Sequence, residues 1–135
     1  MPSIVQALAG DVRVAVLAAA PLSRGELEEH IAEALRWEPQ VRCVVVEVQA
    51  GGALSARDRV ALASAGLLVK PSAILVDSRL TRSILTAVAW LGGDMAAFAP
   101  SALSEACAHL RIDPSQRGAI ERTLVSLRAR LARSA

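Results

Sequence analysis

The stretch VRCVVVEV at residues 41–48 decides how this chain of 135 residues folds. Its β-branched residues run almost without interruption, as is typical of a strand that is covered on at least one face of a sheet. Glu38 and Pro39 come just before it and end a helical pattern there. We therefore predict that residues 41–48 form the central strand of an α/β sheet.

Two further strands are predicted on its amino-terminal side. Residues 3–8 and 12–18 have strand character, and Gly10-Asp11 between them has the chemistry of a tight hairpin turn. These two strands are therefore expected to pair antiparallel. Strands and helices then alternate along the chain, which implies parallel pairing through right-handed crossovers. The predicted sheet is mixed, and its first strand is the antiparallel one.

A helix is predicted between the hairpin and the central strand. Ser23 stands three residues before Glu26, which is the spacing of a capping box at the start of a helix. Apolar residues then recur every four positions and predict a single buried face, made of Leu27, Ile31 and Leu35.

The remaining elements follow the central strand. Ser55 can cap a helix, and Asp113 with Pro114 has the pattern of an N-cap followed by proline at the first helical position. The predicted elements are a helix at 56–65, a strand at 72–78, a helix at 80–91, an edge-like strand at 95–99, a helix at 103–110 and a last helix at 114–133. The order is β-β-α-β-α-β-α-β-α with an extra carboxyl-terminal helix.

The last helix has a narrow apolar seam with a spacing of four, three and four residues, flanked by arginines. The seam consists of Ile120, Leu124, Leu127 and Leu131. The helix folds back onto the sheet or a neighbouring helix, pairs with another protein or a second copy in a homodimer, or lies on an anionic membrane. The chain is accordingly divided into an α/β domain at residues 1–112 and an amphipathic, arginine-rich helix at 113–135.

The composition limits the classes of function. Hydrophobic residues make up 53% of the chain, which allows a core to form, and only 2% are aromatic, which disfavours base-stacking surfaces. The formal net charge of +2 is too small to indicate a nucleic-acid binder. No apolar run approaches the length of a membrane span, and the start does not resemble a secretory signal. We expect a bacterial cytoplasmic protein in which Cys43 and Cys107 are small buried residues.

Motifs of catalysis and cofactor binding are not found in the sequence. No P-loop surrounds Lys70, which is the only lysine, no Gly-x-Gly-x-x-Gly follows a strand, and no Gly-x-Ser-x-Gly elbow occurs. His30 and His109 lie in predicted helices without a cysteine or histidine at metal-ligand spacing, and we expect both at or near the surface. The sequence therefore predicts no enzyme, no metal and no cofactor.

A polar cluster lies at the end of the strand predicted at 72–78. In open α/β sheets ligands bind at the carboxyl ends of the strands, so the cluster is a candidate contact for an anion or a partner. Helix N-termini also collect such residues as caps, and this alternative stays open. The cluster consists of Asp77, Ser78, Arg79 and Arg82.

The element order and two segments resemble the STAS domain, the fold of sulfate-transporter tails and bacterial anti-anti-sigma factors. The resemblance covers about residues 3–112. It rests on RCVVVEV, on the loop and serine-capped helix that follow, and on AAFAPSALSEACAHL, which is similar to the family's closing strand and helix. It implies a STAS-like mixed sheet with helices packed on it and a non-enzymatic role in binding proteins.

The resemblance also points to a site after the central strand. STAS proteins carry a phosphorylatable Ser or Thr at the start of the next helix, usually within Asp-Ser-Ser-Gly, whereas this chain reads VEVQAGGALSARDRVAL. Ser55 is the nearest residue for that role, because a phosphate there would face the positive end of a helix. An unmodified N-cap is the alternative. The expected partner-binding residues are Gly51, Gly52, Ser55, Arg57 and Arg59.

Two functions follow as hypotheses. The first is an anti-anti-sigma-like interaction module in bacterial signalling, with a kinase or regulatory protein as its partner and Ser55 as its switch. The second is a structural or scaffolding subunit that self-assembles through the last helix. A small-molecule or nucleotide binder at residues 77–82 is a third alternative.

Overall fold

A five-stranded mixed sheet forms the centre of the fold. The computed structural model describes residues 3–18, 23–49, 70–77 and 94–133. The strands, which lie side by side in chain order, are β1 (Ile4–Ala9), β2 (Val12–Leu17), β3 (Cys43–Val48), β4 (Ser72–Val76) and β5 (Met95–Phe98). β1 pairs antiparallel with β2, and the other three pairs are parallel. The predicted α/β class and mixed sheet are confirmed.

β3 is the central strand, as the sequence predicts. Val45 is the register partner of Val14 in β2 and of Ala73 in β4, and all three side chains are buried. The hairpin before β3 turns at Gly10, whose φ of 63° lies in the left-handed region that glycine adopts without a steric penalty. β5 lies at an edge of the sheet, in agreement with its predicted edge-like character.

The described residues include three α-helices. α1 (Arg24–Trp37) continues into a short 3₁₀ turn (Glu38–Gln40), and α2 (Leu103–His109) is followed by α3 (Pro114–Arg133). The helices predicted at 56–65 and 80–91 fall outside the described residues. Within the described ranges, no helix has the length and apolar character that crossing a bilayer requires.

The predicted caps begin two of these helices. The hydroxyl of Ser23 accepts a hydrogen bond of 3.1 Å from the backbone N–H of Glu26, so the first turn of α1 is capped. The Asp113 carboxylate accepts one of 2.9 Å from the N–H of Ser115, just after Pro114. Both starts therefore agree with the sequence.

α3 covers one face of the sheet. It lies across β1 and β2, and its apolar seam enters the same core as the strands and α2. The seam residues, at most 7% exposed, are Ile120, Leu124, Leu127 and Leu131. Residues 114–133 therefore share a core with the preceding strands, and a second copy could reach the seam only if the helix left the sheet.

α1 lies on the other face of the sheet, and its buried side differs from the predicted one. The buried residues are Leu27, His30 and Ala34. Ile31 is only partly buried and Leu35 is 43% exposed, so the predicted face is wrong at its carboxyl end. The true stripe follows the helical repeat, but a polar side chain stands in its middle and a search for apolar residues misses it.

Candidate functional site

The carboxyl ends of three parallel strands meet at one edge of the sheet. Val48, the last residue of β3, is in register with Leu17 of β2 and with Val76 of β4. Ligands of open parallel sheets bind at such an edge, because the loops after neighbouring strands lie side by side there. The structure thus places the carboxyl ends of β3 and β4 side by side, and the predicted site segments follow these two ends in the sequence.

Most of the predicted site residues themselves lie outside the described part of the chain. Asp77 is described, and it directly follows β4 and is exposed. The others are Gly51, Gly52, Ser55, Arg57 and Arg59 after β3, and Ser78, Arg79 and Arg82 after β4. The contacts of these residues stay predictions.

A second candidate site is an edge cleft along the outer side of β1. A cavity of about 720 Å³ lies over residues 4–6, and a groove of about 400 Å³ continues over residues 7–9. Successive side chains of a strand point to opposite faces, so a cleft that is lined by consecutive residues opens onto the edge of the strand. The edge cleft therefore follows β1 over its whole length.

The two walls of the edge cleft carry opposite charges. Over residues 4–6 one wall belongs to α1 and the other to the carboxyl-terminal end of α3, whereas over residues 7–9 the wall belongs to α3. The α1 wall presents Glu26, Glu29 and Glu33, and the α3 wall presents Arg122, Arg130 and Arg133. A ligand that lies over residues 4–6 meets carboxylates on one side and guanidinium groups on the other.

A buried polar cluster of Gln6, Arg13 and His30 lies beside the edge cleft, and Gln6 and His30 also line it. The Gln6 amide donates to the backbone carbonyl of His30 at 3.0 Å. Arg13 Nη1 lies 3.1 Å from Gln6 Oε1 and 3.3 Å from His30 Nε2. Because a guanidinium can only donate, Nε2 is the acceptor and the neutral ring carries its proton on Nδ1.

Burial and charge keep this histidine neutral. Burial first, and then the positive charge of Arg13, lower the pKa of His30 to about 3. The expectation that His30 lies at or near the surface is therefore wrong, because α1 turns this side chain toward the sheet, where it is 7% exposed. His109 is exposed on α2, as expected. Arg13 Nε is buried without a hydrogen-bond partner.

Glu26 joins the start of α1 to the start of β1. Its carboxylate accepts hydrogen bonds from the backbone N–H of Ser3 and, at 3.4 Å, from the Ser3 hydroxyl. The Ser3 N–H is the main cause that lowers the pKa of Glu26. These hydrogen bonds therefore hold the first turn of α1, where the acidic wall of the edge cleft begins, against the start of β1.

An ion pair attaches α3 to the face of the sheet that is opposite to α1. Arg128 Nε lies 3.0 and 2.9 Å from the two carboxylate oxygens of Glu47, and Nη2 also contacts the carboxylate. The Glu47 side chain, in the middle of the sheet, is only 8% exposed. Neither this pair nor Arg13 is among the residues predicted from the sequence, although a charged residue inside an apolar strand is a signal for both.

The described residues contain no group of three His, Cys, Asp or Glu side chains that could hold a metal ion. Cys43 and Cys107 are free thiols in the core, and burial raises the pKa of each, so both are the small buried residues that the sequence predicts.

No protein-family model, characterised protein or solved structure matches this chain.

Proposed function

We propose that the protein is a non-enzymatic interaction module, STAS-like in fold and anti-anti-sigma-like in action, that works in the bacterial cytoplasm. It binds a kinase or regulatory protein at the carboxyl edge of its sheet. The observation that supports this is the register of β3 and β4, in which Val48 is the partner of Val76. The two segments whose polar residues were predicted as the binding site follow these two neighbouring strand ends in the sequence.

The residue types in these segments suit a phosphate-regulated protein contact. Gly51 and Gly52 let a partner approach the backbone closely, and Arg57 and Arg59 follow Ser55 at short spacing. A phosphate on Ser55 would add negative charge and three acceptor oxygens to a segment whose sequence also carries these arginines. Phosphorylation at this one position thereby changes the charge that the partner meets.

The test begins with the native host. The tagged full chain is recovered, and mass spectrometry identifies the co-purifying proteins and the phosphorylation state of the Ser55 peptide. The affinity of the purified partner is then measured for wild type, Ser55→Ala and Ser55→Asp. We expect Ser55→Asp to change Kd by about tenfold or more.

Ser115→Asp is the matched control, because Ser115 is an exposed serine at the start of α3, far from Ser55 in the sequence. It should leave Kd unchanged. Equal affinities of wild type, Ser55→Ala and Ser55→Asp would contradict the switch. A partner that binds equally well after Arg57→Glu and Arg59→Glu would contradict the proposed surface.

Self-assembly through α3 is a second proposal. The packing of the helix changes which side of it a second copy could contact. The seam is occupied within the chain, so a second copy would meet the exposed side of α3, where Val125 is 56% exposed. Light scattering of wild type and Val125→Glu tests this alternative. A lower mass for the variant would support a homodimer through α3, and equal monomer masses would contradict it.

A further inference from the structure

We propose that the outer edge of β1 is a second protein-binding site, which accepts an extended segment of a partner as an additional strand. The segment that fits carries basic and acidic side chains in alternation. This site lies two strands away from β3 and does not depend on Ser55.

Among the described residues, no strand pairs with the outer edge of β1, and the strand itself is uncharged. β1 is the first strand of the sheet and, among the described residues, pairs only with β2. Its sequence, IVQALA, contains no charge and no proline, which are the usual means by which edge strands prevent further pairing. The edge cleft leaves room along all six residues.

The pairing with β2 determines which backbone groups face outward. The N–H of Ala18 donates to the carbonyl of Ser3 at 2.8 Å, so this carbonyl faces β2, whereas the N–H of Ser3 bonds to Glu26. In an antiparallel pair the bonding direction alternates from residue to residue. The backbone N–H and carbonyl groups of Ile4, Gln6 and Leu8 therefore point into the edge cleft, as a further strand requires.

The charged walls determine the side chains of the partner. A strand that is added to β1 directs successive side chains to opposite faces of the sheet. One set then lies beside Glu29 and Glu33 of α1, and the other lies beside Arg122 and Arg133 of α3. Lys or Arg suits the first set and Asp or Glu the second, so charges of alternating sign are complementary to both walls over residues 4–6, and acidic side chains stay complementary to α3 over residues 7–9.

A second copy of β1 does not fit this edge. Two β1 strands that pair antiparallel around a two-fold axis keep each face of the sheet on its own side. The glutamates of α1 would then lie next to those of the second α1, and the arginines of α3 next to those of the second α3. Like charges disfavour this pairing on both faces.

Two synthetic peptides test the proposal on the full chain. The first is an octapeptide in which Lys and Glu alternate, and the second has the same composition in two blocks, KKKKEEEE. We expect the alternating peptide to bind about tenfold more tightly, because only it matches both walls. In hydrogen exchange the amides of Gln6 and Leu8 should gain protection on binding, whereas those of Val5 and Ala7 should not change. Equal binding of the two peptides would overturn the proposal.

Protein variants locate the site. Leu8→Pro removes an outward N–H, at a position of an edge strand where proline is tolerated, and should abolish binding. Glu29→Lys should weaken binding, whereas Glu28→Lys, with the same change of charge on the same helix but outside the cleft, should not. Arg122→Glu and Arg117→Glu form the corresponding pair on α3. If both members of a pair weaken binding equally, the edge cleft is not the site.

Discussion

Arg13 and His30 meet 3.3 Å apart beneath α1, where the guanidinium of a strand donates to the neutral ring of a helix. Both residues are at least nine-tenths buried. Arg13 also holds Gln6, so three polar side chains link β1, β2 and α1 next to the edge cleft. This cluster supports the side of the cleft. The titration of His30 and the contribution of the cluster to the free energy of unfolding can both be measured.

The first prediction concerns pH. The pKa of His30 is about 3 in the folded chain and near 6.5 when exposed, so between these values the unfolded chain binds the additional proton. His30 thus contributes its full stability above the unfolded pKa near 6.5 and loses it as the pH falls, with a slope that approaches about 1.4 kcal/mol per pH unit below that value. Urea denaturation between pH 7 and pH 5 measures this slope.

His30→Gln should remove that slope, because glutamine does not titrate and its carbonyl can accept from Arg13. His109→Gln is the control, since His109 is exposed, and it should keep the slope. If wild type and His30→Gln respond to pH in the same way, the ring of His30 is not buried as described.

The second prediction concerns the polar cluster as a unit. Arg13→Met leaves the buried acceptors of Gln6 and His30 without their donor, and should lower the free energy of unfolding by about 2–3 kcal/mol. The triple variant Gln6→Leu, Arg13→Met and His30→Leu should recover most of this loss, because apolar groups of similar size need no partner. A triple variant that is less stable than Arg13→Met would contradict this account.

The third prediction concerns the attachment of α3. Arg128→Met leaves the buried Glu47 carboxylate unpaired and should cost about 1–3 kcal/mol, a range reduced because Arg128 is partly exposed to solvent. Adding Glu47→Gln should restore part of the loss. Arg122→Met, on an exposed position of the same helix, should change stability by no more than about 0.5 kcal/mol. Chemical denaturation compares all the variants.

The fourth prediction concerns the apolar seam. Leu127→Ala opens a cavity in the core under α3 and should cost about 2–5 kcal/mol, whereas Val125→Ala on the exposed side should have little effect. Removal of residues 114–135 should yield an unfolded or aggregating chain. A truncated protein that stays folded, as seen by circular dichroism and a cooperative melt, would show that α3 is not needed for the core.

Local patterns in the sequence predict local structure well. The apolar run of β3, the hairpin at Gly10 and the caps at Ser23 and Asp113 depend on neighbouring residues, and each is found where it is predicted. The limits of α3 are also as predicted, because proline and aspartate mark its start and a regular seam continues to its end.

Contacts between segments that are distant in the chain could not be predicted from the sequence. Gln6, Arg13 and His30 come from three elements, and no periodicity connects them. The edge cleft likewise depends on the order of the strands, since the same IVQALA segment would be covered if another strand paired with it. A polar residue within an apolar strand is visible in the sequence, but its partner is not.

The position of α3 on β1 and β2 also bears on how the chain is made. The ribosome releases the first hairpin long before it has synthesised the helix that covers it, for roughly ten seconds at about 5–20 residues per second. During this interval the apolar side of the nascent hairpin has no native cover and is a target for chaperones. The core closes only after translation has reached α3.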